Sequence, residues 1–148
     1  MAPAGEAGEV ARLIAGFRSY YGEEMPTDEV IIATVERLMD DAGTEFLLAG
    51  EPAAGVAQLR FRLSVWTGVE DAWLEDLFVE PAARGSGAGR ALVEASIERA
   101  RRRGCLRIQL DANEANEAAV GLYRSLGFES GSPARWKGAR DLYFTKRL

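Results

Sequence analysis

The stretch Leu74-Glu-Asp-Leu-Phe-Val-Glu-Pro-Ala-Ala-Arg-Gly-Ser-Gly-Ala-Gly-Arg-Ala-Leu92 passes from strand to turn to helix. Residues 74–79 read as an apolar strand interrupted by two acids, Glu75 and Asp76. Pro81 ends it, and Gly85, Gly87 and Gly89 fall where the backbone turns into a helix. Those glycines leave a run of main-chain N–H groups with no side chains in front of them. At a helix N-terminus such donors are unsatisfied and the dipole is positive, so the spacing predicts an anion cradle, most naturally for phosphate. A plain tight turn leading into a helix accounts for three glycines equally well.

Upstream, Val10, Leu13, Ile14 and Phe17 recur at helical spacing, predicting an amphipathic helix over residues 10–21. Pro26-Thr27-Asp28 is a helix-start signal, and Ile31, Val35 and Leu38 carry one apolar face through residues 30–39. Tyr20, Tyr21, Glu23 and Glu24 either line an entrance or form an ordinary solvated connection. A short strand is expected over residues 45–49 and a longer one over 56–65, with Leu59, Phe61, Leu63 and Val65 on one face and Arg60, Arg62 and Ser64 on the other. In the strand over 72–79, alternation groups Leu74, Asp76 and Phe78 on one face, and Trp73, Glu75, Leu77 and Val79 on the other. Acids in such a strand are costly to bury without partners or access to water.

Downstream, the helix over 87–103 presents Ala88, Ala91, Leu92 and Ala95, widened by Val93 and Ile97. Arg101-Arg102-Arg103 reads as a solvated helix end capped by Gly104. A strand with Leu106, Ile108 and Leu110 follows, then a short helix over 113–126, a strand from Phe128, a loop containing Trp136, and a strand over 141–146. The order predicts one domain over residues 1–148, built on a mixed α/β sheet.

The chain has 148 residues, a formal charge of −5, no histidine and a single cysteine. The acidic balance gives no reason to expect a nucleic-acid partner. No apolar run approaches a membrane span and no signal peptide is visible, so neither a membrane nor a secreted location is expected. Lone Cys105, at the head of an apolar strand, suits a reducing cytoplasm and a buried, inert thiol. Without histidine, imidazole metal sites and Ser-His or Cys-His nucleophiles are excluded. Acid–base chemistry must fall to carboxylates, tyrosine, lysine or water.

The glycines are not a P-loop, because no Gly-Lys-Ser/Thr follows, and their Gly-x-Gly-x-Gly spacing fits a dinucleotide fingerprint poorly. Two further features bear on them. Arg84-Gly-Ser-Gly-Ala-Gly89 follows an acidic-apolar strand directly, and Asn116-x-x-Ala119-x-x-x-Tyr123-x-x-x-Gly127-Phe128 comes later. In that order they resemble the acyl-CoA-dependent N-acetyltransferases of the Gcn5-related (GNAT) superfamily, from about Val56 to the C-terminus. The resemblance implies the GNAT fold: a single, mostly antiparallel mixed sheet flanked by helices. The residues before Glu9 are poor strand material, which leaves the family's usual first strand missing, shortened or irregular here.

The resemblance also implies roles. Acetyl-CoA is the co-substrate and no metal is required. The main chain of Arg84, Gly85, Ser86, Gly87, Ala88, Gly89 and Arg90 would wrap the pyrophosphate, and the edge of Leu77, Phe78 and Val79 would pair with the pantetheine arm as an added strand. For this the strand must splay from the one at 106–110. The Leu77 N–H would steady the thioester oxygen, Asn116 would bond the coenzyme arm or cap its own helix, and Tyr123 would serve as acid towards the departing thiolate. An alkyl amine is mostly protonated at pH 7, and removing that proton costs about 4–5 kcal/mol. A carboxylate acting through water can accept it. Glu75 is the favoured base, with Asp76 structural or in contact with substrate; strict alternation lets only one of them point into the cleft. The partner expected is a small-molecule primary amine. Acetylation of a protein N-terminus or lysine, and non-catalytic acyl-CoA sensing, are the competing readings. A homodimer is the default assembly for this family.

Overall fold

A computed structural model describes residues 6–130 and 141–148. The two N-terminal periodic segments form α1 (Ala7–Tyr20) and α2 (Asp28–Met39). Thr27 caps α2, accepting from the Val30 N–H at 3.4 Å. Arg18 ties the intervening turn by donating to the Pro26 carbonyl at 2.6 Å and pairing with Asp28 at 2.8 Å. Then come β1 (Thr44–Ala49), β2 (Gly55–Leu63), β3 (Glu70–Val79), a 3-10 turn at Pro81–Ala83, α3 (Ala88–Arg102), β4 (Arg107–Asn113), α4 (Glu117–Ser125), β5 (Glu129–Ser130) and β6 (Asp141–Arg147). Among the described residues no strand precedes α1. The expected loop around Trp136 lies outside the described residues.

The strands form one six-stranded sheet in the order β1-β2-β3-β4-β6-β5, antiparallel at every junction except β3–β4. This is the mixed, mostly antiparallel sheet flanked by helices that the sequence predicts. On one face α1 and α2 bury Val10, Leu13, Ile31 and Val35 against Phe46, Val56 and Phe78. On the other, α3 and α4 cover Leu59, Phe61, Ala72, Leu74, Ile108 and Leu110.

Several local expectations give way. The buried stripe of α3 is Leu92, Val93, Ser96, Ile97 and Ala100, while Ala91 and Ala95 are exposed. Ser96 is admitted to this stripe because its hydroxyl donates to the Leu92 carbonyl at 2.7 Å. Leu63 and Val65 do not share the buried face of Leu59 and Phe61: β2 ends at Leu63, and both side chains stand in solvent at 80% and 88% exposure. The segment expected to be helical from residue 113 begins as strand, and α4 starts only after Asn116. Nor is the arginine triplet simply solvated. Arg103 pairs with Glu70 at 2.7 Å and stacks 4.1 Å from the Phe61 ring, binding the end of α3 to the start of β3.

Two features of β3 shape everything downstream. Gln58 lies opposite Asp76 but Leu59 lies opposite Leu74, so Glu75 is an extra residue, a β-bulge. The bulge reverses the side-chain parity: Leu74 packs under α3 while Phe78 packs under α1 and α2, not together as strict alternation requires. On its other side β3 pairs with β4 only at Ala72↔Ile108 and Trp73↔Gln109. Below that fork Arg107 grips Asp71 through Nε at 2.9 Å and a terminal nitrogen at 2.6 Å. Burial works to raise the pKa of Asp71, but bonds from Arg107 and Thr67 hold it below the ordinary carboxylate value. Above the fork the strands part.

Candidate active site

The parting strands open a cleft of 630 Å3. One wall is the edge Leu77-Phe78-Val79, and the other is α4 with Asn116, Ala119, Leu122 and Tyr123. Arg84, Gly85 and Gly89 lie at the phosphate end, and Phe17, Tyr20 and Tyr21 roof it from α1. The tyrosines of the α1–α2 connection thus line the entrance rather than merely face solvent.

The glycine turn has the backbone its composition suggests. Gly85 and Gly87 sit at φ +81° and +90°, in the left-handed region where a side chain is strained. A Cβ built on either meets nothing within 4 Å, so the space in front of the turn is open. Gly87 is the N-cap of α3, no side chain caps it, and the first turn carries no acid. Uncapped donors, an open approach and the positive helix end together fit a pyrophosphate. Ser86 directs its hydroxyl back to the Ala83 carbonyl at 2.5 Å. Neither Ser86, Gly87, Ala88 nor Arg90 lines the cleft itself. Arg90 reaches across to Ser125 at 2.8 Å, linking α3 to α4.

Arg84 folds back over the strand edge. Its Nε donates to the Val79 carbonyl at 3.1 Å, a terminal nitrogen donates to the Tyr20 hydroxyl at 3.0 Å, and the guanidinium lies 4.4 Å from the Tyr20 ring centroid. Asn116 caps α4, its Oδ1 accepting from the Ala119 N–H at 3.2 Å, and it also lines the cleft. Both duties are open to it, since capping uses the carbonyl oxygen and leaves the amide nitrogen.

Tyr123 is 6% exposed and wedged between Phe128 and Phe144, with centroids 5.8 and 5.9 Å away. Burial raises its pKa to about 12. Its hydroxyl makes no hydrogen bond with any described residue, and the side chain borders the cleft.

Glu75 and Asp76 lie elsewhere. The bulge sends them into two cavities, neither of them the cleft holding Tyr123. Glu75 borders a 410 Å3 cavity with Arg60, Arg62, Trp73, Leu74 and Asp111. Asp76 faces a 170 Å3 apolar cavity under the helices, lined by Ile14, Ile31, Val35 and Phe46 among others. Burial, and secondarily the neighbouring Glu75, raise the pKa of Asp76. Asp76 keeps the α1–α2 face it shares with Phe78, as alternation requires, while the extra residue in β3 puts Leu74 on the opposite face and Glu75 beside a different cavity.

The sequence reading missed Phe17, Ala115 and Leu122 around the cleft, and Arg60, Arg62, Trp73 and Asp111 around Glu75. The first group looks like ordinary apolar periodicity. The second carried one usable signal, basic residues alternating along β2 opposite an acidic β3.

A profile of the acetyltransferase (GNAT) family matches residues 11–128. The thialysine N-epsilon-acetyltransferase of Sus scrofa is 32% identical over 137 residues, spanning 83% of this chain and 78% of its own. The mycothiol acetyltransferase of Salinispora arenicola is 38% identical over 109 residues, spanning 68% of this chain and 32% of its own. Among solved structures, a protein of Arthrobacter sp. FB24 assigned as an acetyltransferase superposes with a TM-score of 0.81 at 31% identity, covering 89% of this chain and 85% of that one. A soil-metagenome aminoglycoside acetyltransferase shares the fold at a TM-score of 0.77 and 16% identity, covering 91% of each. A forked sheet with a glycine turn at its mouth, a family profile over most of the length and relatives of this similarity agree: the chain belongs to the GNAT family and is an N-acetyltransferase.

Proposed function

We propose that the chain transfers the acetyl group of acetyl-CoA to the primary amine of a small molecule by direct attack on the thioester. The observation carrying this reading is that one cleft gathers the Leu77–Val79 edge, Gly85 and Gly89 of the glycine turn, and Tyr123. Acetyl-CoA, when bound, supplies the activated acyl group. Gly85, Gly87 and Gly89 would hold its pyrophosphate, the edge of Leu77 and Val79 would align its arm, and the Leu77 N–H would face the acyl oxygen. Tyr123 would present its hydroxyl proton to the departing sulfur.

Glu75 is the proposed proton acceptor, working through water. It stands at the fork, where β3 and β4 separate, and 52% of its side chain is exposed, so it can pass a proton to solvent. Relatives named for thialysine and mycothiol support a small-molecule acceptor.

A panel of small amines, assayed for free CoA release with acetyl-CoA, tests the proposal. Turnover with at least one small amine, well above the rate of CoA release without it, is the expected result. Acetylation of peptides alone, or binding of CoA with no transfer to any amine, would overturn it.

A further inference from the structure

The cavity beside Glu75 has a charge pattern that the acetyl-transfer reading does not use. Its wall carries two guanidiniums, Arg60 and Arg62, and two carboxylates, Glu75 and Asp111, around the Trp73 ring. This chain has more acids than bases, and most of its arginines near the core are tightly held. Arg99, Arg103 and Arg107 reach their carboxylates at 2.6–2.7 Å. Arg60 does not. Its nearest acids, Asp41 and Glu75, stand 3.9 and 4.0 Å away, neither of them a hydrogen bond, and its Nε is buried with no partner. Arg62 lies 5.0 Å from the Trp73 centroid and has no carboxylate partner among the described residues. A buried guanidinium N–H without an acceptor is costly, and a planar fork is built for a carboxylate.

From this we infer that the acceptor carries its own carboxylate: it is an amino-acid-like zwitterion rather than a pure polycation. Arg60 and Arg62 receive the carboxylate while Glu75 receives the ammonium. A diamine would leave Arg62 without a carboxylate and Arg60 without one at hydrogen-bond distance, and would set its second positive charge against them. The position suits an acceptor. Glu75 is two residues from Leu77 on β3, and Asp111 is two residues from Asn113 on β4, with Leu77 and Asn113 both lining the coenzyme cleft. The charged cavity and the cleft therefore lie along the same pair of strands, with Glu75 and Asp111 beyond the last β3–β4 rung at Trp73↔Gln109 and Arg60 and Arg62 alongside it on β2.

The inference rests on the acetyl-transfer reading, yet it can fail separately. The test compares matched pairs differing only in the carboxylate: L-lysine with 1,5-diaminopentane, and L-ornithine with 1,4-diaminobutane. Binding is measured by calorimetry on the protein with and without CoA, and turnover by thiol release. Each amino acid is expected to bind at least tenfold more tightly than its decarboxylated partner. Arg60→Ala should bring that ratio close to one, and Arg60→Lys should restore part of it. CoA affinity reports that each variant is folded. Equal binding, preference for the diamines, no binding of either amino acid, or a ratio unchanged in Arg60→Ala would each overturn the inference. Selective binding without any turnover would leave it standing and count against the acetyl-transfer reading instead.

Discussion

At the scale of single residues, Tyr123 shows how burial sets chemistry. A phenol with a pKa near 12 stays neutral through any working pH, so its proton is always present. Complete transfer to a thiolate of ordinary thiol basicity would be uphill by roughly 5 kcal/mol. The side chain is therefore suited to donate a hydrogen bond to sulfur as charge develops there. Tyr123→Phe keeps the ring packing on Phe128 and Phe144 and removes only that donor. It should lower kcat by about a hundredfold, the low end of general-acid contributions, with CoA affinity nearly intact. Steady-state kinetics with acetyl-CoA and a competent amine will show this, and turnover within twofold of the parent would remove Tyr123 from the chemistry. The raised pKa also means that Tyr123 does not set an alkaline limb of the rate profile in the ordinary assay range.

At the scale of elements, the decisive device is the β3–β4 junction: two rungs, an ion pair beneath them and open edges above. Asp71 is almost fully buried, so removing its charge strands Arg107. Asp71→Asn should cost about 2 kcal/mol near neutral pH, below the full range for buried pairs because Arg107 is partly exposed. The folded-state pKa of Asp71 is depressed, so its stabilisation is fully present above the unfolded value of 3.8 and fades as pH falls through the folded one. Urea melts of parent and variant should therefore diverge near pH 7 and converge at strongly acid pH; a constant gap would refute the role given to Asp71. Much of this architecture was legible in the chain. Helical periodicity predicts α1 and α2, and the spacing of Gly85, Gly87 and Gly89 predicts the turn at the mouth of the cleft. The bulge was not legible, because it depends on what β2 places opposite residues 74–76 and leaves no local mark in β3. That single extra residue separated Leu74 from Asp76 and Phe78, which alternation had grouped on one face. Ser96 in the α3 stripe was hidden for a similar reason: its polarity is cancelled by a backbone acceptor that composition does not display.

At the scale of the whole molecule, the fork divides the sheet into β1-β2-β3 and β4-β6-β5, joined edge to edge through only two residue pairs. Beyond the last rung the Leu77–Val79 edge of β3 borders the cleft instead of a neighbouring strand. On the proposed reading a coenzyme arm filling the gap would act as the missing strand, and part of this protein's stability would be held by its co-substrate. By mass action a ligand at a hundred times its dissociation constant adds about 2.7 kcal/mol. Saturating CoA should accordingly raise Tm by several degrees and slow amide exchange at Leu77 and Val79. A Gly87→Glu chain, with a carboxylate placed before the α3 N-terminus, should show neither effect. Exchange unchanged at the edge despite bound CoA would mean that the arm does not pair there. In a cell where acetyl-CoA runs low, the same gap would make abundance of the enzyme follow supply of its substrate, since unliganded chains open more readily and are removed sooner.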